Sequence, residues 1–328
     1  MLFHRLYVAL VVIWVWAAQV HGHTLAHEQS HPTPTTLEEV EARLLEYRAT
    51  GDDGIIRSID EFFAGQVAST PEALLLRAWH AQAMHRFARA IEVLEPLLSS
   101  DHAHPWLLTA NLQRVMGHHS RSHEACRRVA ATRPLLGRAC ILLNASQQGD
   151  SVAVIELQKL EALLVMMQSQ RGLGTEDQAW LASVLADGYW GNDDLEQALK
   201  WSSRAFMLNP TVVHEAAYAE RLLEVHAPLA VLDLIDAEAQ APALVVLRLR
   251  ALQQAGRLKH AQAMVARVDR QFRHDIEHED YLHAREMVWF YLDILPRPEI
   301  AKRLAAQNWL LQKELEDRRL LNRVQALR

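Results

Sequence analysis

The stretch "YWGNDDLEQALKWSSRAFMLNP" (Tyr189–Pro210) carries a spacing that decides the fold. Ala198 has Ala186 twelve residues before it, Tyr189 nine before, Ala205 seven after and Pro210 twelve after, with a turn signal at "GND" (191–193). That pattern reads as two helices joined by a tight turn. The offsets return around Ser122, with Gly117 in the turn, Ala110, Val129 and Pro134 in place and Gln113 standing for Tyr189. They return around Ala230, with Ala237, Pro242 and Arg221 at the corresponding places. Weaker copies centre on Ala90, Val154 and Ala261, each preceded five residues earlier by His85, Gly149 and Gly256. Successive centres lie 32, 32, 44, 32 and 31 residues apart, and the long interval contains "QRGLGTED" (170–177), read as an inserted loop. Small residues on both helices let a pair approach closely, and a proline closes the second helix because it cannot extend it. One such hairpin cannot bury its apolar face alone, so several must stack into an array.

Composition agrees. Only 12 glycines and 11 prolines occur in 328 residues, half of which are hydrophobic, which favours an all-α fold with a sizeable core. The net charge of −6 is spread over interleaved acids and bases, so no basic stripe tracks phosphates and nucleic acid is not an expected partner. At the N-terminus, Arg5 precedes the apolar run "LYVALVVIWVWAA" (6–18) and the small residues of "VHG" (20–22), the layout of a cleavable export signal over 1–22. The apolar run is shorter than the roughly 20 residues a membrane span needs, so no span is expected after cleavage. Residues 23–35, rich in His, Pro and Thr, read as a disordered linker, and the array occupies 36–328. Thr36 with Glu39 forms a capping-box signature at the start of the first helix.

The spacing of Ala186, Tyr189, Ala198, Ala205 and Pro210 resembles the tetratricopeptide repeat, which implies a helix–turn–helix solenoid with a superhelical path. Over a wider span, "YRATGDD" (47–53), the paired cysteines, "HAREMVWFYL" (283–292) and "NWLLQKELEDRRLL" (308–321) resemble a group of exported proteobacterial repeat proteins of unestablished function. The resemblance implies that the first helices of the pairs line a concave groove. It nominates Trp79, Asn111, Arg114, Trp180, Asp187 and Trp190 as groove residues that hold a protein or peptide of the cell envelope. The competing expectation is that these tryptophans pack between repeats. The chain is then expected to be an exported, non-catalytic adaptor in the periplasm, or outside the cell, of a Gram-negative bacterium, without a cofactor.

Other motifs were weighed against this reading. "HDIEH" (274–278) matches the H-x-x-E-H pattern in which His274 and His278 would bind zinc and Glu277 would activate water. Against it, the stretch falls between a helix ending near Phe272 and one beginning near Asp280, and no third ligand follows at the required distance. The tract "HGHTLAHEQSH" (21–31) offers His23, His27 and His31 as weak metal ligands, making periplasmic metal handling the alternative function. "GHHSRSH" (117–123) sits on a repeat turn. Cys126 and Cys140 are the only cysteines; they are either a disulfide between adjacent helices or two buried thiols. No nucleophile elbow, Walker loop or dinucleotide fingerprint is present.

Overall fold

Six helices of the computed structural model end on the same turn, and that turn sets the repeat. One residue in each adopts the left-handed conformation: His85, Gly117, Asp193, His226, Gly256 and Glu279, with φ between 53° and 79°. The next N–H then donates to the carbonyl five residues back, as in Arg86 to Ala81 at 2.8 Å, His118 to Gln113 at 2.7 Å and Asp194 to Tyr189 at 3.0 Å. Ala227 to Leu222, Arg257 to Leu252 and Asp280 to Asp275 repeat the bond at 2.9, 2.7 and 2.8 Å. This closure satisfies carbonyls that a helix end would otherwise leave unpaired. Gly256 isolates the conformational contribution, because a Cβ there would meet no atom within 4 Å. Gly256→Ala is expected to destabilise the fold by about 1 kcal/mol, read as a lower urea midpoint with an unchanged slope.

The structure describes residues 31–65, 70–99, 102–148, 152, 154–169 and 173–327; the stretch read as an export signal and most of the stretch read as a linker lie outside them. Among the described residues there are seventeen α-helices and no strand. The N-terminal pairs are α1 (Leu37–Thr50) with α2 (Asp53–Gly65), and α3 (Pro71–Ala83) with α4 (Phe87–Leu94). There follow α5 (Ala103–Val115) with α6 (His119–Thr132), α7 (Pro134–Gln148) with α8 (Val154–Ser169), and α9 (Thr175–Gly191) with α10 (Leu195–Leu208). The C-terminal half comprises α11 (Val212–Glu224) with α12 (Pro228–Leu234), and α13 (Pro242–Gln254) with α14 (Gln262–Glu277). Next, α15 (Ala284–Trp289), continued by a π-helical turn, pairs with α16 (Pro298–Leu311), and α17 (Leu315–Gln325) follows. The fold is an all-α array of helix–turn–helix pairs.

The small positions are buried as the spacing predicts in the two better copies. Ala186, Ala198 and Ala205 are at most 3% exposed, and Ala110, Ser122 and Val129 at most 1%. Between α6 and α7 the approach is so close that a Cβ on Gly137 would lie 2.3 Å from the Ala130 Cα. Several details differ from expectation. In the α11–α12 pair the turn falls one residue later, at His226, so Ala219 and Val231 are buried while Ala230 is exposed. The counterpart of Tyr189 there is Leu222 rather than Arg221, and Ala237 lies beyond the end of α12. Val154 is exposed, and α8 buries Leu157, Leu160 and Leu164 instead. The long interval is taken up mainly by helix: α8 and α9 reach 16 and 17 residues, and Thr175–Asp177 form the first turn of α9. Pro134 and Pro242 open the following helix, where a missing N–H costs nothing, rather than close the preceding one.

Cys126 on α6 and Cys140 on α7 are joined in a disulfide, with Cα atoms 5.4 Å apart. At the N-terminus Thr36 accepts from the Glu39 N–H at 3.2 Å. The Glu39 carboxylate takes Thr35 rather than Thr36, so only half of the box forms. Two residues that precede the first helix make side-chain contacts: His31 contacts Asp52 at 3.1 Å, and Thr33 donates to Glu61. The first pair also reaches the last ones. The His283 ring lies 2.7 Å from the Asp53 carboxylate, and Arg57 donates to Asp280 at 2.5 Å. No helix among the described residues is long and apolar enough to cross a membrane.

Candidate partner-binding wall

Six residues before five of these left-handed turn residues, all but Glu279, stands one side chain of the first helix: Trp79, Asn111, Asp187, Glu220 and Arg250. Three residues later in the same helices come Arg114 and Trp190. A helix repeats every 3.6 residues, so these offsets share a face. Of the predicted residues, Asn111, Arg114 and Trp180 are brought together around a small cavity of about 30 Å³. The Arg114 guanidinium donates to the Asn111 amide oxygen at 2.5 Å. Trp180 also packs against the disulfide cluster. Trp79 stands apart, packed between the two N-terminal cores in the way expected of a spacer between repeats.

The wall is not open along its length. The chain between Gln312 and Arg323 lies against it, held by side chains from successive first helices. The Lys313 N–H donates to the Val115 carbonyl at the end of α5 at 2.7 Å. Arg114 donates to the Glu314 carboxylate at 2.6 Å, and the Leu315 N–H donates to the Gln147 side chain of α7 at 2.9 Å. Arg318 donates to the Gln148 carbonyl at 3.0 Å. Further along, the indole of Trp190 lies between two guanidinium groups, Arg221 at 4.1 Å and Arg319 at 3.9 Å from the ring centroid. Trp289 is flanked in the same way by Arg250 at 3.9 Å and Arg323 at 5.3 Å. The electron-rich faces of both tryptophans attract these cations. From α15, Arg285 donates to Asp317 at 2.7 and 2.8 Å and to Glu314 at 2.9 Å.

Between the two tryptophans is a cavity of about 130 Å³ bounded by Glu220, Glu224, Arg250 and Glu316. The Trp190 N–H donates to Glu224 at 3.0 Å, and Arg221 holds the same carboxylate at 2.9 Å. Burial, aided by Glu316, pushes Glu220 up to about 8, against the pull of Arg221, Arg250 and Arg285. Burial likewise raises Asp187 to about 6, against Arg221 and Arg114. Glu314 goes the other way: burial would raise it, but Arg114 and Arg285 prevail and hold it at about 2. A carboxyl that binds its proton more tightly when folded stabilises the fold below its ordinary value near 4.5 and loses that contribution as pH rises to about 8. Glu220→Gln is therefore expected to melt with the wild type near pH 5 and above it at pH 8. Parallel melting curves at both pH values would contradict this.

Glu220 and Arg250 were missed from the sequence. The one-residue slip at His226 displaces Glu220 from its expected place, and Arg250 stands at the same offset from Gly256 in the weak copy at Ala261. The left-handed residue is the better ruler, since it marks the turn itself.

The other motifs find structural employment. Helix α14 continues through His274 to Glu277, beyond the expected end near Phe272, and the next helix begins at Ala284 rather than near Asp280. The His278 ring nitrogen donates to the His274 carbonyl at 2.8 Å. His118 and His119 contact Gln113 and Asn144 at 2.9 and 3.0 Å, tying the α5–α6 turn to α7. Among the described residues no group of three or more His, Cys, Asp or Glu side chains is arranged to hold a metal ion. His31 faces Asp52, and His23 and His27 lie outside the described residues. No family model matches the chain, and no curated protein matches it.

Proposed function

We propose that this chain is an exported, non-catalytic adaptor of the tetratricopeptide type that binds a protein or peptide of the cell envelope along its inner wall. One observation carries the reading: side chains of α5, α7, α9 and α15 already grip a mixed-charge segment through backbone bonds, ion pairs and Arg–Trp contacts. A wall that holds one peptide segment this way has the chemistry to hold another. The disulfide supports export, because such bonds persist in oxidising compartments, and so does the signal-like run at 6–18. Aromatic and arginine anchors of this kind dominate binding at protein interfaces.

The test places a photo-cross-linking amino acid at Asn111 or Asp187 on the wall, and at the exposed Val165 on α8 as a control. In the envelope of the native host, both wall positions are expected to capture the same protein and Val165 none. Equal capture from Val165, or no adduct from either wall position, would overturn the adaptor reading.

A further inference from the structure

The segment lying on the wall differs from an ordinary final repeat in how it is held. It leaves α16 through an extended strap, with Gln312 at φ −120° and ψ 129°, and reopens as α17 behind a Glu314 cap. The cap is reciprocal: Glu314 serves the N–H of Asp317, and Asp317 accepts from the Glu314 N–H at 3.1 Å. Its polar anchors are charged groups, Glu314 and Asp317 on Arg114 and Arg285 and then Arg319 on Trp190, and beside them Leu315, Leu320 and Val324 enter the hydrophobic cores. Arginine and tryptophan anchors of this kind are enriched at recognition surfaces. The upstream residues Leu310 and Leu311 are 72% and 41% exposed, so the strap begins at a poorly buried point.

We infer that the inner wall recognises a short helix opened by an acidic cap, with a second carboxylate three residues on and an arginine two beyond that. Residues Gln312–Arg323 are the chain's own copy of that ligand, which a partner displaces. The inference rests on the adaptor reading and adds to it the chemistry of the ligand and the competitor it meets. Arg114 and Arg285 take the two carboxylates, and Trp190 takes the guanidinium. A tethered copy competes at high effective concentration, so the intact chain binds an added ligand more weakly in proportion to its open fraction.

The probe is a fluorescein-labelled, end-blocked peptide of residues 312–325, titrated into full-length protein by anisotropy. Glu314→Ala with Arg319→Ala weakens the tethered copy and leaves the wall intact; this variant is expected to bind the peptide at least about tenfold more tightly than the wild type. The opposite variant carries Gly117→Cys and Lys313→Cys. A Cβ at Gly117 would lie 3.3 Å from the Lys313 Cβ, close to the separation of about 3.5–4.5 Å found in disulfides. Four equivalent turns already carry a side chain at that left-handed position. Oxidised, this chain is expected to show no saturable peptide binding, and reduction restores wild-type binding; the wild type with and without reductant controls for the native disulfide. Equal affinity in the oxidised and reduced chains overturns the inference, as does absence of binding to a folded Glu314→Ala, Arg319→Ala chain. Should that variant not fold, the locked pair decides alone. If the locked chain still forms the wall adduct with an envelope protein, the adaptor reading stands and this inference falls. If neither the oxidised nor the reduced chain forms it, the adaptor reading falls and the peptide result still judges the ligand chemistry.

Discussion

Replacing Arg285 with leucine is expected to destabilise the protein by about 3–5 kcal/mol, the loss typical of removing one partner from a buried ion pair. The guanidinium reaches Asp317 through two donors and Glu314 through one, and stands 3.7 Å from Glu316. Asp317 has a fully buried side chain, so its charge has no recourse to water. Asn308 also donates to Asp317 at 2.8 Å, which one amide does too weakly to offset a lost cation. Leucine leaves buried Asp317 without its cation and Glu314 with Arg114 alone, whereas lysine restores the charge without the two-pronged geometry and should recover only part of the loss. Urea unfolding measures the stability, and trypsin cleavage after Arg318 or Arg319 reports whether the segment leaves the wall. A loss under about 1 kcal/mol, the range of exposed pairs, would show that the cluster is solvated in practice.

Removing the disulfide is expected to cost about 3 kcal/mol, the magnitude for closing a loop of this size. Cys126 and Cys140 are separated by 14 positions and are 0% and 6% exposed. Cys126→Ala with Cys140→Ala should therefore lower the urea midpoint, and mild reduction of the wild type should lower it similarly. The bond pins α6 to α7 beside the cavity that holds Asn111, Arg114 and Trp180. Identical unfolding curves before and after reduction would show that helix packing alone fixes this junction.

How much of this was legible in the sequence depends on the range of the interaction. Turn-to-turn offsets are local, so Ala186, Ala198 and Gly117 disclose the hairpins, and the resemblance those offsets carry nominates Asn111 and Asp187. The spacing failed where the turn slipped, at Ala230 and Arg221, and where leucines replaced the small residues, at Val154. The pairing of Arg114 with Glu314 spans 200 residues, and no periodicity encodes it. "NWLLQKELEDRRLL" carries part of the wider resemblance, but nothing in it announces that its carboxylates belong to arginines on α5 and α15.

The contacts that bridge the ends also change how the chain must fold. In an ordinary repeat array every contact is between neighbours, so folding can start anywhere and spread, and truncation removes only what is deleted. Here His283 meets Asp53 across 230 positions, Arg57 meets Asp280 across 223, and Arg114 waits for Glu314 across 200. Such separations are the kind that slow folding, because loop closure precedes their reward. At about 5–20 residues per second, Arg114 is made roughly 10–40 s before its carboxylate partner. During that interval the charged wall is uncovered, and the protein is an open array that residues 312–323 convert into a closed one.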